Sequence, residues 1–230
     1  MIKLKLKMLG LAFVVMLAMS AMIASAAQAT TLTAGNSTAV EHEHATLLTS
    51  QAKQNTFKFG IRELICSKAE FDGTLIGTDS TVEVTPTYSE CSTKPVLGVI
   101  FRATVTHEGC TFLLHAAESF PKVTADVKCP AGKKITIHLY NNSDTTHSSP
   151  VCTLTVGETG NQGLGGSELE NIAGSPDHVV LKTTEVPVTT DGTGSVCGGL
   201  DQVSRYNGEN TIKAINTAGN QINLTAVDEA

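Results

Sequence analysis

Six cysteines and seven histidines are the residues best able to do chemistry in this sequence, because they can form disulfides, bind metals or transfer protons. The sharpest metal-binding pattern is the segment 41–44, Glu-His-Glu-His. In an extended chain His42 and His44 would point to the same side and could hold a divalent cation. Two ligands do not complete a tetrahedral site, however. We therefore interpret the segment as part of a solvated tail and predict no metal and no other cofactor.

The remaining histidines and glycine-rich segments do not form a recognisable catalytic motif. His107, His115 and His138 lie in strand-like segments, where a histidine is usually part of a half-buried surface. The segment 194–198 lacks the Gly-x-Ser-x-Gly spacing that exposes a nucleophilic serine. The segment 157–167 is rich in glycine but lacks the lysine of a phosphate-binding loop, and we interpret it as a flexible loop or a bulge. No catalytic residue is predicted.

The N-terminus has the features of a cleavable secretory signal peptide. Three lysines precede an apolar run over residues 8–23, and small residues at 24–29 provide overlapping cleavage sites. A membrane-spanning helix needs about 20 apolar residues, and this run is shorter. A bacterial lipoprotein would need a cysteine at the cleavage point, whereas the first cysteine is Cys66. We expect residues 1–29 to be removed and the protein to be secreted.

Removal of this peptide makes the protein strongly acidic. The peptide contains three of the 16 Lys and Arg residues, so 13 remain against 22 acidic residues, a net charge of −9. Nucleic acids and anionic membranes require clustered positive charge in their partners. We therefore predict no nucleic-acid partner and no membrane insertion of the mature chain.

The mature sequence indicates an all-β protein. It is rich in threonine and β-branched residues, and several stretches alternate apolar and polar residues with a period of two. The clearest of these stretches are 81–85, 123–127, 135–139, 152–156 and 222–226. Short strand-like stretches that recur every 8 to 12 residues or so and are joined by tight turns predict an antiparallel β-sandwich or a barrel-like architecture.

Turn signals separate the predicted strands. Asp72-Gly73, Glu108-Gly109, Ala131-Gly132, Asn207-Gly208 and Gly219-Asn220 are pairs that supply the positive φ of a tight hairpin. Each pair is predicted to be a turn.

A longer polar segment at 141–150 divides the predicted strands into two groups. The expected organisation is a polar N-terminal tail at 30–46, a first β lobe at 47–143 and a second β lobe at 150–230. One continuous β-sandwich over 47–230 is the alternative.

All six cysteines follow the signal peptide, and an even number in an oxidising compartment predicts three disulfides. One pairing follows from geometry, because a hairpin with its turn near 119–121 places Cys110 opposite Cys129. Sequence alone does not choose among the other pairings, of which the sequential one would join Cys66 to Cys91 and Cys152 to Cys197. A zinc site is disfavoured because no Cys-x-x-Cys or Cys-x-x-His spacing occurs.

Four segments surround cysteines of the first half of the chain: 66–74, 84–91, 108–112 and 129–132. They resemble a recurrent family of uncharacterised bacterial secreted proteins. The similarity runs from about residue 45 to the end, and the later half matches only loosely. Proteins of this family are threonine-rich and have no assigned activity. The resemblance therefore implies that the cysteines and turn glycines are framework residues, and it transfers no catalytic or binding residues.

The function that these features favour is that of a non-catalytic binding or cell-envelope interaction module with an unknown extracellular ligand. Exported β-proteins commonly present loops to ligands or to other surfaces. Sugar binding is weakened because the chain has no Trp, and Tyr88, Tyr140 and Tyr206 are the only candidates for a stacking platform. We expect each of these tyrosines to pack in the core or at an edge instead. The alternative is an extracellular hydrolase whose carboxylate or histidine residues the sequence does not identify.

Overall fold

The structure is a computed structural model, and it describes residues 30–34, 44–76, 78–79, 81–116, 121–158, 164–194, 196–197 and 204–228. The segment 1–29, interpreted above as a signal peptide, lies outside the described residues. The described part of the chain contains no helix that is long and apolar enough to cross a membrane.

All regular elements of the described residues are β-strands, which confirms the all-β prediction. The predicted strands at 81–85, 123–127, 135–139 and 152–156 are all present, whereas 222–226 is divided between two short strands. The strands are β1 (Thr30–Ala34), β2 (His44–Phe59), β3 (Arg62–Ile76), β4 (Thr78–Asp79), β5 (Thr81–Thr93), β6 (Phe101–Thr106), β7 (Thr111–Ala116), β8 (Lys122–Lys128), β9 (Ile135–Asn141), β10 (Cys152–Val156), β11 (Leu164–Asn171), β12 (His178–Val188), β13 (Thr190–Thr193), β14 (Ser204–Asn216), β15 (Gln221–Ile222) and β16 (Leu224–Asp228).

Eight of these strands close into an antiparallel barrel. The order around the barrel is β5, β3, β2, β14, β12, β11, β8 and β7, and β7 pairs again with β5. This ring confirms the barrel-like form of the fold prediction. The ring contains strands from both sides of the segment 141–150. Strands before and after this segment are hydrogen-bonded neighbours, since β14 pairs with β2 and β11 pairs with β8.

Two smaller groups of strands extend the barrel. The second half of β5 leaves β7 and pairs with β6, which continues through β9 and β10 to β13 as a side sheet. A separate sheet joins β16, β1 and β4. Residues 30–34 were expected to belong to a polar tail, but they form β1 because Leu32 and Ala34 alternate with threonines and are buried in the core.

The hydrophobic core consists of two clusters stacked along the barrel. The first, here called the lower cluster, includes Leu47, Leu75 and Ile212 and extends to the small sheet through Leu32 and Leu224. The upper cluster includes Phe57, Leu64, Ile137, Leu154 and Val186 and packs the side sheet against the barrel. Tyr88 and Phe112 contact both clusters and lie between them.

Three disulfides stabilise the upper cluster, and the described residues contain no free cysteine. They join Cys66 to Cys91, Cys110 to Cys129 and Cys152 to Cys197. Thr111 lies opposite Lys128 in the β7–β8 ladder, which is the register expected for that hairpin. Three disulfides suggest an oxidising, extracellular environment for the protein.

The turn prediction was wrong at two of the five pairs. Glu108-Gly109, Ala131-Gly132 and Gly219-Asn220 form turns, but Gly73 lies inside β3 and Gly208 lies inside β14. A Cβ atom at Gly73 would lie 2.7 Å from the carbonyl oxygen of Glu83 on the neighbouring strand. Glycine at this position therefore permits close approach of two backbones and does not supply a turn.

Candidate functional site

A cavity of about 120 Å³ lies inside the barrel, at the level where the two core clusters meet. Its wall is mainly apolar and is formed by members of both clusters, among them Phe57, Phe71, Leu114 and Val186. All eight strands of the barrel contribute to the lining, and so do β6, β9 and β10 of the side sheet. Ring closure thus creates this space from residues that are far apart in the sequence.

One polar part of the wall is a hydrogen-bonded network centred on Asn55. The other polar residues of the lining are Thr49, Thr56, Asp126, Ser167 and Thr183. The amide nitrogen of Asn55 donates to Asn210 Oδ1 at 3.1 Å and to Gln51 Oε1 at 3.2 Å. In return, Asn210 Nδ2 donates to Asn55 Oδ1 at 3.3 Å, and the hydroxyl of Tyr206 donates to the same oxygen. Asn55 and Asn210 are buried, and their mutual bonds offset the cost of burying two amides.

Tyr88 forms the end of this network. Its hydroxyl donates to the hydroxyl of Tyr206 over 3.4 Å, which is long for an O–H···O bond and makes it the weakest link. Both rings line the cavity, and they meet edge to face with centroids 6.5 Å apart. The Tyr88 hydroxyl is therefore the member of the network that a bound molecule could most readily engage.

Burial keeps both tyrosines protonated. Burial, followed by the repulsion of the neighbouring Tyr206 phenolate, raises the pKa of Tyr88 well above its usual value. Burial likewise raises the pKa of Tyr206. At neutral pH the pair is therefore uncharged and presents hydroxyl groups to the cavity, so it suits a neutral ligand with a hydrogen-bonding group.

Gly208 makes room for this network. A Cβ atom at this position would lie 2.1 Å from Asn55 Oδ1 and 3.2 Å from the Tyr206 hydroxyl. No side chain larger than hydrogen fits without displacing Asn55. The glycine in the middle of β14 is thus explained by the buried amide that packs against it.

The backbone of several barrel strands is irregular at the level of the cavity. The register shifts between Thr183 and Val186 on β12 and around Gly208 on β14, and further shifts occur on β2 and β11. Residues on one face of a regular strand are separated by even numbers, yet both Thr183 and Val186 are buried. The bulge therefore turns both side chains inward, and Ser167 on β11 contacts Thr183 with 3.4 Å between their hydroxyl oxygens.

A second polar arrangement surrounds His115 and reaches the cavity through Asp126, which lines its wall. Its Nδ1 is 3.4 Å from Thr81 Oγ1, and its Nε2 is 3.1 Å from Asp126 Oδ2. The order hydroxyl, imidazole and carboxylate is that of a hydrolase triad. The Thr81 contact is long for a nucleophile bonded to its base, and neither Thr81 nor His115 lines the cavity. We interpret this arrangement as a polar contact across β5, β7 and β8.

The other sequence-derived candidates do not form a site in the described residues. His42 lies outside the described residues, His44 begins β2, and no group of three or more potential metal ligands occurs in the described part of the chain. His107 Nδ1 accepts a hydrogen bond from the amide of Gly109, and His138 Nδ1 lies 3.0 Å from Thr153 Oγ1.

The two remaining glycine-rich candidates fall partly outside the described residues. Within 157–167, residues 159–163 are not described, and residues 164–167 belong to β11, where the register shifts as in a bulge. Within 194–198, Ser195 and Gly198 are not described, and Cys197 is oxidised in a disulfide.

Sequence reasoning missed the residues that surround the cavity. The three tyrosines were expected to pack in the core or at an edge, but not to surround a cavity. Tyr88 and Tyr206 lie inside the barrel at the cavity, and Tyr140 is buried beside His147. Asn55 and Asn210 gave one usable signal, since each occupies a position of the alternating pattern at which its strand otherwise buries apolar residues.

The cavity wall combines hydrogen-bonding groups with apolar surface. The network has hydroxyl and amide groups for hydrogen bonding, and most of the remaining wall provides apolar contact. Comparison with protein-family models, with curated proteins and with solved structures finds no match for this chain.

Proposed function

We propose that the protein is an exported, non-catalytic binding module that takes up one small, largely apolar molecule inside its barrel. The observation that carries the proposal is the cavity of about 120 Å³ with a hydrogen-bonded group of tyrosines and asparagines in a mainly apolar wall. Eight-stranded barrels of other proteins are wide enough to hold one small ligand. A concave apolar site with a few convergent polar groups is the usual form of a small-molecule site.

The size of the cavity limits the ligand. A dry cavity of about 150 Å³ is known to hold benzene or xenon. A volume of about 120 Å³ therefore suits a single ring or a short alkyl group. Since the tyrosines are neutral and one hydroxyl is weakly bonded, the preferred ligand carries one hydroxyl or carbonyl group and no charge.

Export is part of the same proposal. The positive and apolar segments of residues 1–29 support a cleaved signal peptide, and the three disulfides agree with an oxidising compartment. An extracellular or cell-envelope location would give the module access to ligands released outside the cell. We also propose that it belongs to the secreted threonine-rich family that its cysteine segments resemble. An extracellular hydrolase is the less favoured function, because none of the described residues pairs a nucleophile with a base inside the cavity.

The test of the proposal is ligand-dependent stabilisation, measured by calorimetry with phenol, benzene and 1-adamantanol as probes. A ligand at 100 times its Kd stabilises a protein by about 2.7 kcal/mol. We expect phenol to raise Tm, benzene to do so with lower affinity, and 1-adamantanol to have no effect because it is too large.

Three variants locate the binding. Ala125→Leu places a larger side chain in the cavity wall and should abolish the phenol effect, while Ala52→Leu on the exposed side of β2 should preserve it. Tyr88→Phe removes the hydroxyl alone and should reduce the affinity for phenol to that for benzene. Equal stabilisation of the protein and of Ala125→Leu by phenol would refute binding in this cavity. Turnover of esterase or glycosidase substrates that His115→Ala abolishes would favour the hydrolase.

A further inference from the structure

Exposed hydrophobic side chains are concentrated at one end of the barrel. The described residues include five large hydrophobic side chains that are exposed, and four of them lie on two neighbouring turns: Ile61 (79%), Leu97 (99%), Val99 (48%) and Ile100 (41%). We call these four residues the apolar tip. The fifth, Leu48, lies alone within β2. Scattered single hydrophobic residues need no explanation, but a local group of them marks an interaction site.

The backbone of the tip holds Leu97 in a costly position. Val96 and Val99 exchange two hydrogen bonds of 3.1 and 3.0 Å, which makes Leu97 and Gly98 the centre of a two-residue hairpin turn. Both central residues have positive φ, 52° for Leu97 and 79° for Gly98. Asn, Asp or Gly normally occupies the first of these positions, because positive φ strains a bulky residue. The hairpin therefore presents a strained leucine fully to the outside.

The two turns form one rigid surface. Lys94 at the end of β5 bonds through its amide to the carbonyl of Glu63, so the 60–61 turn lies beside Pro95 and Val96. The Arg62 guanidinium stacks 4.6 Å from the centre of the Phe101 ring, and its Nε donates to the carbonyl of Val196 at 2.9 Å. These contacts fix the tip to the upper cluster, so little ordering is needed when it binds.

The charge around the tip is opposite to that of the whole chain. The formal net charge is −6, yet the described residues next to the tip have five basic and three acidic side chains, a net charge of +2. The strand ends and loops of this end carry Lys58, Arg62, Lys94, Arg102 and Arg205, together with Glu63, Asp144 and Glu185. An anionic surface would be attracted here although the rest of the protein repels it.

Aliphatic residues with flanking cations fit a lipid surface better than a protein surface. A stable protein interface needs about 800 Å² per partner and is enriched in aromatic residues and Met, whereas the tip is two narrow turns of Ile, Leu and Val. Shallow insertion of aliphatic side chains, with Lys and Arg at the headgroups, is the usual chemistry of peripheral membrane binding. The acidic composition of the chain predicted no membrane partner, but that prediction used the charge of the whole chain.

We propose that this end of the protein is a membrane-docking surface, in which the apolar tip enters the headgroup region of a bilayer and Lys94 and Arg102 contact anionic lipid phosphates. Docking would hold the protein at the cell envelope with the tip towards the bilayer. It does not depend on a ligand in the cavity.

The absence of tryptophan from the chain provides a direct test. The variant Leu97→Trp has a single fluorophore at the tip, and Leu48→Trp is the matched control at the exposed position outside it. Each full-length protein is titrated with vesicles of phosphatidylcholine alone and of phosphatidylcholine mixed with phosphatidylglycerol. With the anionic vesicles, we expect the emission of Leu97→Trp to shift to the blue and to be shielded from an aqueous quencher. The emission of Leu48→Trp should remain unchanged.

Affinity measurements supply the second readout. Leu97→Ser should weaken binding to the anionic vesicles roughly tenfold or more, whereas Leu48→Ser should have little effect. Lys94→Gln and Arg102→Gln should each weaken it by about fivefold. If the indole of Leu97→Trp remains exposed to the quencher while the protein sediments with vesicles, residues 8–23 anchor the chain and the proposal is overturned. A blue shift that appears on raising the protein concentration without vesicles would indicate self-association and would also overturn it.

Discussion

The substitution Gly208→Ala tests whether the buried network around Asn55 has the structure described. The new Cβ atom would lie 2.1 Å from Asn55 Oδ1 and 3.0 Å from Asn55 Cγ, so the amide must move away. Movement breaks its bonds to Asn210, Gln51 and Tyr206 in the interior of the barrel. Overpacking costs about 1–3 kcal/mol, and an unsatisfied buried polar group costs about 1–3 kcal/mol. We expect a loss of about 2–4 kcal/mol in the free energy of unfolding.

The assay is urea denaturation of the oxidised protein, followed by circular dichroism. Gly165→Ala is the matched control, because Gly165 also lies in a barrel strand but a Cβ atom there meets nothing within 4 Å. The control should be neutral or should stabilise by about 0.4–1 kcal/mol. Asn55→Ala removes the clashing group, so Gly208→Ala should cost much less in that background than in the native protein. The reasoning is refuted if Gly208→Ala is as stable as Gly165→Ala, or if the two costs simply add.

Three other predictions concern covalent and ionisable groups. Replacing Cys110 and Cys129 by Ser should lower the free energy of unfolding by about 3 kcal/mol, since the disulfide closes a loop with a sequence separation of 19; an unchanged urea midpoint would contradict this. Burial raises the pKa of Tyr88, so the free energy of unfolding should be retained below about pH 10 and should fall as the pH rises towards the raised pKa. Tyr88→Phe should lose less stability at alkaline pH than the native protein, and identical pH profiles of the two proteins would contradict the burial. Hydrogen bonds from Ser149 and Thr146 lower the pKa of Asp144, so the carboxylate stabilises the protein above about pH 4 and this stabilisation is lost as the pH falls through the lowered pKa. The difference in the free energy of unfolding between the native protein and Asp144→Asn should vanish below the lowered pKa, and a difference that stays constant with pH would contradict this prediction.

Local patterns were sufficient to predict the strands and one disulfide-linked hairpin. The alternation in 123–127 and 135–139 reports which residues face a core, and this property depends only on neighbours in the sequence. The register between β7 and β8 follows from the same argument, because a short hairpin fixes which residues are opposite one another. The closing pair β5–β7 and the pair β14–β2 join distant segments, and no local signal specifies them.

The cavity was not predictable for the same reason. Asn55 and Asn210 are 155 positions apart, and a polar residue in a strand gives no indication of its partner. Gly208 was assigned to a turn because Asn-Gly is the strongest short hairpin signal. In this barrel that glycine is required by a side chain from another strand, and only the three-dimensional structure reveals that constraint.

The distribution of disulfides and bulges indicates where this barrel can respond to a ligand. The ladders β3–β5, β5–β7 and β7–β8 keep one register throughout, and the disulfides Cys66–Cys91 and Cys110–Cys129 lie at this side of the ring. Among the described residues of the ring, register shifts occur in the ladders β2–β3, β14–β2, β12–β14 and β11–β8. Each of these ladders includes at least one of β2, β11, β12 and β14, the strands of the opposite side, which have no cysteine. Halfway along the barrel, the side-chain contacts Asn55–Asn210 and Ser167–Thr183 join β2 to β14 and β11 to β12. Because side-chain contacts and bulged ladders open at a lower free energy than cross-linked regular ones, entry to the cavity is expected between these four strands.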